Sequence, residues 1–405
     1  MERIPKSRLV NYGFILPFFV AMIIFSQEDM APYMPSIKLN FQYVIVLYTV
    51  LIMAFLLIKS TRSILADIVV FLLITRLVLS LTSLINYESN LNEFLYYGYF
   101  SVLFTTVIYI YIYNSYNPQD TKFISNMFVL ISLILIAQVS IAFVNGIASG
   151  ISFAYIKSWI SIPIGKSNFI AAFLNPILIF LFIYMKKSIY KTILIILLVI
   201  TTGMTFSDGG LLVLALTFAL IYFNKIKNSY VKFLLIILLT LLFLSFLIVP
   251  VSSNSEGSAI SNENSFFYSY KHTLEQILVQ RDLEDASSGR IDIYRYYLIE
   301  IKNHSFFGHG FYMPFTKTIA NPHNFLISEL YTSGIFNLLI YVLVIFLILN
   351  KLRHSEDEFI TAAYYACIYI IVHSLIEPAI LGFNVGFIFW LLMAIAYKRA
   401  KLLAG

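Results

Sequence analysis

About a dozen largely apolar stretches, most of them about 20 residues long, recur along this chain, and no other feature limits its fold so strongly. They lie near 9–27, 41–58, 63–85, 95–114, 123–145, 168–185, 192–207, 211–224, 233–251, 324–349, 359–377 and 385–397. Crossing about 30 Å of hydrocarbon takes about 20 such residues, and lipid forces every backbone group to find its partner inside the segment. The expected fold class is therefore an all-α polytopic membrane protein with about 12 transmembrane helices. Between the seventh and eighth stretches, Thr205-Phe206-Ser207-Asp208-Gly209-Gly210 reads as a tight turn, its glycines accepting positive φ and its Asp bonding nearby backbone. A single broken helix is the alternative. Composition agrees with a lipid environment: 60% of residues are hydrophobic and 12% charged, with 37 Phe and 29 Tyr.

Twelve spans put both termini on one side, and the distribution of Lys and Arg in short loops selects that side. Arg3, Lys59, Lys187, Lys227, Lys351 and Arg399 are among the many basic residues of one side, whereas Lys38, Lys157 and Lys166 occupy the short loops of the other. Both termini are thus expected in the cytoplasm, with the first span, behind Arg3, Lys6 and Arg8, as a retained signal anchor. Three parts follow: a nine-span bundle over 1–251, an extracytoplasmic loop over 252–322 between the ninth and tenth spans, and a three-span bundle over 323–405.

The formal charge of +6 does not mark a nucleic-acid binder, because the basic residues cluster at membrane edges. The long loop itself holds six Lys/Arg against eight Asp/Glu. Loops longer than about 12–15 residues are usually functional or disordered. Here 252–264 is a polar connector, while 266–301 repeats apolar positions as an amphipathic helix pair would, with Tyr294, Tyr297, Leu298 and Ile301 on one face and Asp292, Arg295 and Lys302 on the other. Such helices suit the outer leaflet, over a cavity between the spans.

Several side chains ask for a chemical reading. Arg76 lies deep within its span, where a cation either faces a substrate, such as a donor diphosphate, or bonds a carbonyl or carboxylate; Asp67 is at the wrong level to be that partner. His373 and Glu377 are four apart and read as a polar pair at a helix end. His304, His309 and His323 match no standard metal spacing, Gly308 and Gly310 read as a turn, and lone Cys367 excludes an intrachain disulfide. Lys157 and Lys166 are outward cations near the Asn168 span, where phosphate is one ligand and lipid headgroups are another. Arg290 could contact lipid phosphate or pair with Asp292. Pro322-His323-Asn324 could be a helix cap on extended backbone.

Taken in order, Ser288-Gly289-Arg290, then Asn303-His304-Ser305-Phe306-Phe307-Gly308-His309-Gly310, then Pro322-His323-Asn324 followed after nine residues by Gly334, resembles the O-antigen ligase/polymerase superfamily. Gly165-Lys166-Ser167-Asn168 with Ala171 and Ala172 is similar to that family's Gly-x-x-Asn start of a mid-chain span. Two positions depart from the pattern: Asn337 stands where a small or aromatic residue is usual, and Ser207-Asp208-Gly209 replaces Ser-Arg-Gly, removing a cation. The resemblance covers roughly residues 160–350.

What the resemblance implies is a GT-C-like membrane enzyme performing metal-independent, inverting glycosyl transfer from an undecaprenyl-diphosphate-linked glycan, without cofactor, at the outer face of the bacterial inner membrane. Arg290 would neutralise the leaving diphosphate and His323 would be the base for the acceptor hydroxyl. Arg76, Asn324, Arg295, Lys166 and Asn168 would bind substrate, and no residue would bind a metal. A polysaccharide polymerase extending a lipid-linked repeat unit is the preferred activity, with a ligase to lipid A core as its neighbour and a flippase of lipid-linked sugars as the reading from another class. Membrane lipids, a chain-length regulator and a flippase are the partners such a polymerase implies.

Overall fold

A computed structural model describes residues 20–21, 47, 49–53, 67–86, 99–117, 120–151, 153–225, 290–310 and 322–404. Most of the expected spans at 9–27 and 41–58, the span at 233–251, and the loop over 252–289 and 311–321 lie outside the described residues. Each of the other expected spans coincides with a helix. They are α1 (Ile68–Ser80, continued by a 3-10 turn Leu81–Asn86), α2 (Phe100–Ser115), α3 (Asp120–Ala148), α5 (Ser167–Tyr184), α6 (Ile189–Met204) and α7 (Asp208–Lys225), then α9 (Phe325–Leu352), α10 (Glu358–Ser374) and α11 (Phe383–Ala404). Short α4 (Phe153–Trp159) precedes α5, and α8 (Arg290–Asn303) precedes α9. Among the described residues, three helices are long and apolar enough to cross a membrane: Thr121–Ala148, Ser167–Tyr184 and Phe325–Leu352.

One local departure from an all-α chain precedes α5, where β1 (Ser161–Ile162) pairs antiparallel with β2 (Gly165–Lys166). Gly165 has φ 140°, which an L side chain rarely adopts, and this turn delivers the chain directly into Ser167. α5 then runs through the middle of the bundle, against α3, α6, α7, α10 and α11. All its residues from Ile170 to Leu181 are buried, as expected of a helix that is apolar all round. Its one interior amide, Asn175, is fully paired: Nδ2 donates to Tyr369 Oη at 2.8 Å and to the Gly210 carbonyl at 3.2 Å, and Oδ1 accepts from Thr202 Oγ1 at 2.7 Å.

The turn between α6 and α7 is tight, but its positive φ (52°) falls on Phe206 rather than on the glycines. Gly209 and Gly210 instead lie in the first turn of α7, because that is where two helices meet. A Cβ on Gly210 would come within 2.6 Å of Ala171 Cβ, so the small residues there set the distance between α7 and α5.

α9 is broken at Gly334 (φ 78°, ψ 177°), and segment 304–310 repairs the break. Tyr331 and Thr332 lose their helical donors and accept instead from His309 N at 2.7 Å and Gly310 N at 3.0 Å; Ile335 N, which has lost its acceptor, donates to the Ser305 carbonyl at 2.9 Å. Gly308 and Gly310 form the expected turn, both with positive φ.

α8 rests on α9 through Tyr297, Ile301 and Tyr331, with Ile293 and Tyr296 beside them. The expected apolar face is therefore divided: Leu298 joins Ile299 on the exposed side, since contact with Tyr331 selects positions 293, 297 and 301, four apart. Burial, with neighbouring Tyr296 adding to it, pushes the Tyr297 hydroxyl up to about 12.

At the end of the bundle where α9 stops and α10 starts, Arg399 donates to Asp357 at 2.9 and 2.7 Å, and Asp67 joins Tyr113 at 2.6 Å and Lys401 at 2.5 Å. These contacts tie the last helix to α1, α2 and α10.

Candidate active site

At the opposite end, four chain segments converge: the start of α5, the α6–α7 turn, the start of α9 and the residues just beyond α10. Ser207 caps α7, its Oγ accepting from Gly210 N at 3.2 Å. The same hydroxyl donates to Asn168 Oδ1 at 3.0 Å, and Ser167 Oγ donates to the Thr205 carbonyl. Asn168 Nδ2 in turn donates to Glu377 Oε2 at 3.2 Å. That carboxylate oxygen also meets His323 Nδ1 at 3.1 Å, so four side chains from four segments form one hydrogen-bonded line. Glu377 is 5% exposed, whereas His323 is only partly buried.

The backbone at this end is unusual in a consistent way. His323 has φ 50°, not the extended backbone expected after Pro322, and Phe206 has φ 52°. Both stand immediately before a helix N-cap, Asn324 and Ser207 respectively. A left-handed conformation costs a side-chain-bearing residue roughly 1–3 kcal/mol and is held only where its surroundings determine it. At His323 the Glu377 bond does so from one side and the anchored Asn324 from the other. Asn324 Oδ1 accepts from Leu326 N at 2.9 Å and Ile327 N at 3.3 Å, while Nδ2 donates to the Leu375 carbonyl at 3.1 Å. Asn324 thus caps α9 and locks it to the segment that carries Glu377.

His373 and Glu377 do meet at the helix end, where Glu377 N donates to the His373 carbonyl at 2.9 Å, but the Glu377 carboxylate bonds His323 rather than the His373 ring. α10 ends at Ser374, a last turn follows in which Ile376 N also donates to the His373 carbonyl at 2.9 Å, and the Glu377 side chain reaches His323. His373 stays inside, 1% exposed, its ring 5.6 Å from that of Tyr369.

Arg76 is paired with Glu329 of α9 at 2.6 Å, both almost fully buried, and its guanidinium lies 4.1 Å from the Tyr341 ring centre. Ser333 Oγ adds a bond to the same carboxylate at 2.9 Å. Asn337, the departure from the family pattern, reaches Ser80 of α1 at 3.3 Å, so a second polar contact ties α1 to α9. Asp208, next to the capping Ser207, meets Lys157 at 3.3 Å.

Lys166 is exposed at the foot of α5, and Arg295 is exposed on α8, beside Leu298, Ile299 and Lys302 in an open depression. Arg290 is the first residue of α8, but its side chain and that of Asp292 lie outside the described residues. Among the described residues no three His, Cys, Asp or Glu side chains gather as a metal site. Sequence reasoning missed Glu377 and Ser207 as members of the site and Glu329 as the partner of Arg76. The available signal was a carboxylate within each of two apolar stretches, at 329 and 377, with no Lys or Arg near it in sequence.

With the strained His323 and its polar line in view, the comparison with known families becomes specific. Residues 193–342 match the family model described as O-antigen ligase. The match is consistent with the O-antigen ligase/polymerase superfamily and supports a polysaccharide-related ligase or polymerase class. No curated protein matches the chain. The segment similar to O-antigen ligases includes Ser207, His323, Asn324 and Gly334, whereas Asn168 and Glu377 stand outside it.

Proposed function

We propose that the protein is an inverting glycosyltransferase that passes a growing glycan from undecaprenyl diphosphate to a lipid-linked repeat unit at the outer face of the bacterial inner membrane. The observation that carries this reading is a partly exposed histidine, inside the segment similar to O-antigen ligases and seated against a buried carboxylate.

In this reading His323 Nε2 takes the proton of the acceptor hydroxyl as its oxygen attacks the anomeric carbon of the donor. The bond from that carbon to the diphosphate breaks, and the charge left on the departing polyprenyl diphosphate is met by Arg290 through paired hydrogen bonds, without a metal ion. Arg295 and Lys166 add positive charge along the approach. Asn168 and Asn324 act from within the hydrogen-bonded frame around His323. Arg76, whose charge is met by Glu329, is assigned to holding α1 against α9 rather than to the donor. The outward loop, the cytoplasmic termini and a chain-length regulator as partner belong to the same proposal.

A second reading, ligation of the glycan to lipid A core, is favoured by the description of the matched family. One experiment separates them. The purified protein in a bilayer mimic is given a synthetic polyprenyl-diphosphate repeat unit with chelator present. A ladder of longer lipid-linked glycans is the expected product; transfer only when lipid A core is added establishes the ligase, and inertness with both acceptors overturns glycosyl transfer in favour of transport.

A further inference from the structure

The line of bonds behind His323 has a direction, and that direction fixes which ring nitrogen carries the proton. Gly210 N–H occupies a lone pair of Ser207 Oγ, and the Ser207 hydroxyl donates onward to Asn168 Oδ1. The Asn168 amide is thereby oriented with its NH2 toward Glu377, where Nδ2 donates to Oε2. An ionised carboxylate only accepts, so with Oε2 already receiving the Asn168 amide N–H, the 3.1 Å contact with His323 has Nδ1 as the donor. Nε2 is then the ring nitrogen that carries the lone pair.

We propose that Glu377 is the positioning residue of the site: oriented by Asn168 and Ser207, it holds neutral His323 in the Nδ1–H form and turns the basic Nε2 to the acceptor hydroxyl. A carboxylate on one imidazole nitrogen fixes tautomer and ring direction and stabilises the imidazolium that forms when the other nitrogen takes a proton. Glu377 stands beyond the segment similar to O-antigen ligases, on a turn after α10, so this role comes from the fold rather than from the matched motif. The inference rests on the transfer reaction proposed above only in so far as Nε2 is given a substrate; the tautomer itself is a property of the resting protein.

The test uses the full chain in lipid nanodiscs with 13C,15N-labelled histidine, the His323 signals being assigned by their loss in His323→Gln. With the ring neutral, the wild-type spectrum is expected to show a protonated Nδ1 and an unprotonated Nε2. In Glu377→Gln the population moves toward Nε2–H, and kcat for glycan transfer falls about 10²-fold while KM changes less than about threefold. A wild-type ring protonated on Nε2 overturns the proposal, and this measurement needs no variant to fold. An unchanged tautomer and kcat in Glu377→Gln overturn it equally. Absence of any transfer by the wild type, with Nδ1–H observed, removes the glycosyltransferase reading and leaves the Glu377–His323 coupling standing.

Discussion

The Phe306 carbonyl oxygen lies 2.2 Å from the point a Cβ on Gly334 would occupy, so the break in α9 and the segment that repairs it are fitted to each other at a glycine. With ψ near 180° at positive φ, Gly334 also sits in a region that is essentially closed to other residues. Gly334→Ala is expected to cost about 3 kcal/mol or more, from backbone conformation and from expulsion of the 304–310 segment. Thermal melting in detergent should show the loss, with limited proteolysis newly cutting near residues 304–310; a melting point within about 1 °C of wild type would remove this account of the glycine.

Arg76 and Glu329 are each 3% exposed or less, and removing one of them leaves an unmatched charge in the bundle. Arg76→Ala is expected to destabilise by about 3–5 kcal/mol and to lower abundance in the membrane. The double change Arg76→Met with Glu329→Met should recover most of that, since apolar residues of similar size replace a buried pair at little cost. Fluorescence-detected size exclusion measures both; a double variant as poor as the single one would mean that the pair does more than neutralise itself.

Asp357 lies outside the spans, and its carboxyl responds to two opposed influences. Burial raises its pKa, but the Arg399 bonds, with backbone N–H groups at the α10 start, hold it below the usual 3.8. A depressed carboxyl stabilises the fold above the unfolded-state value, and that stability is lost as pH falls through the folded-state value. Asp357→Asn keeps a good helix cap and removes the charge, and it should lower the melting point by about 2–4 °C at pH 7. The gap from wild type should persist down to about pH 5 and narrow below about pH 4. A gap that stays constant across that range would separate the effect from the carboxyl's ionisation.

His323→Ala and Arg290→Ala are expected to reduce glycan transfer by about 10²-fold or more each, with normal insertion and abundance. Gel analysis of lipid-linked products beside an immunoblot makes the comparison, and full transfer by both variants would remove the site assignment.

Most of the helices were legible because lipid leaves a chain few options: apolar runs near 168–185, 324–349 and 359–377 return as α5, α9 and α10. The His323, Asn324 and Gly334 pattern was legible as a resemblance, but the purpose of Gly334 was not, because it depends on a segment that docks from residues 304–310. The contact of Glu377 with His323 was missed for a related reason: the two are 54 positions apart and meet only where α9 begins and α10 has ended. Arg76 and Glu329 are 253 positions apart, a pairing no local spacing rule reaches. Helix periods report the face a residue occupies; the site is made where helices end and their caps meet.

α5 turns none of its residues from Ile170 to Leu181 to the lipid, while Leu130 and Ile141 of α3, Ile196 and Ile200 of α6, and Leu212 and Leu216 of α7 are exposed. Thickening or thinning of the bilayer therefore presses on peripheral helices and reaches Asn168 only through them. The His323 line stands on a mast stepped in protein rather than in hydrocarbon, so its geometry is set by helix packing rather than by lipid.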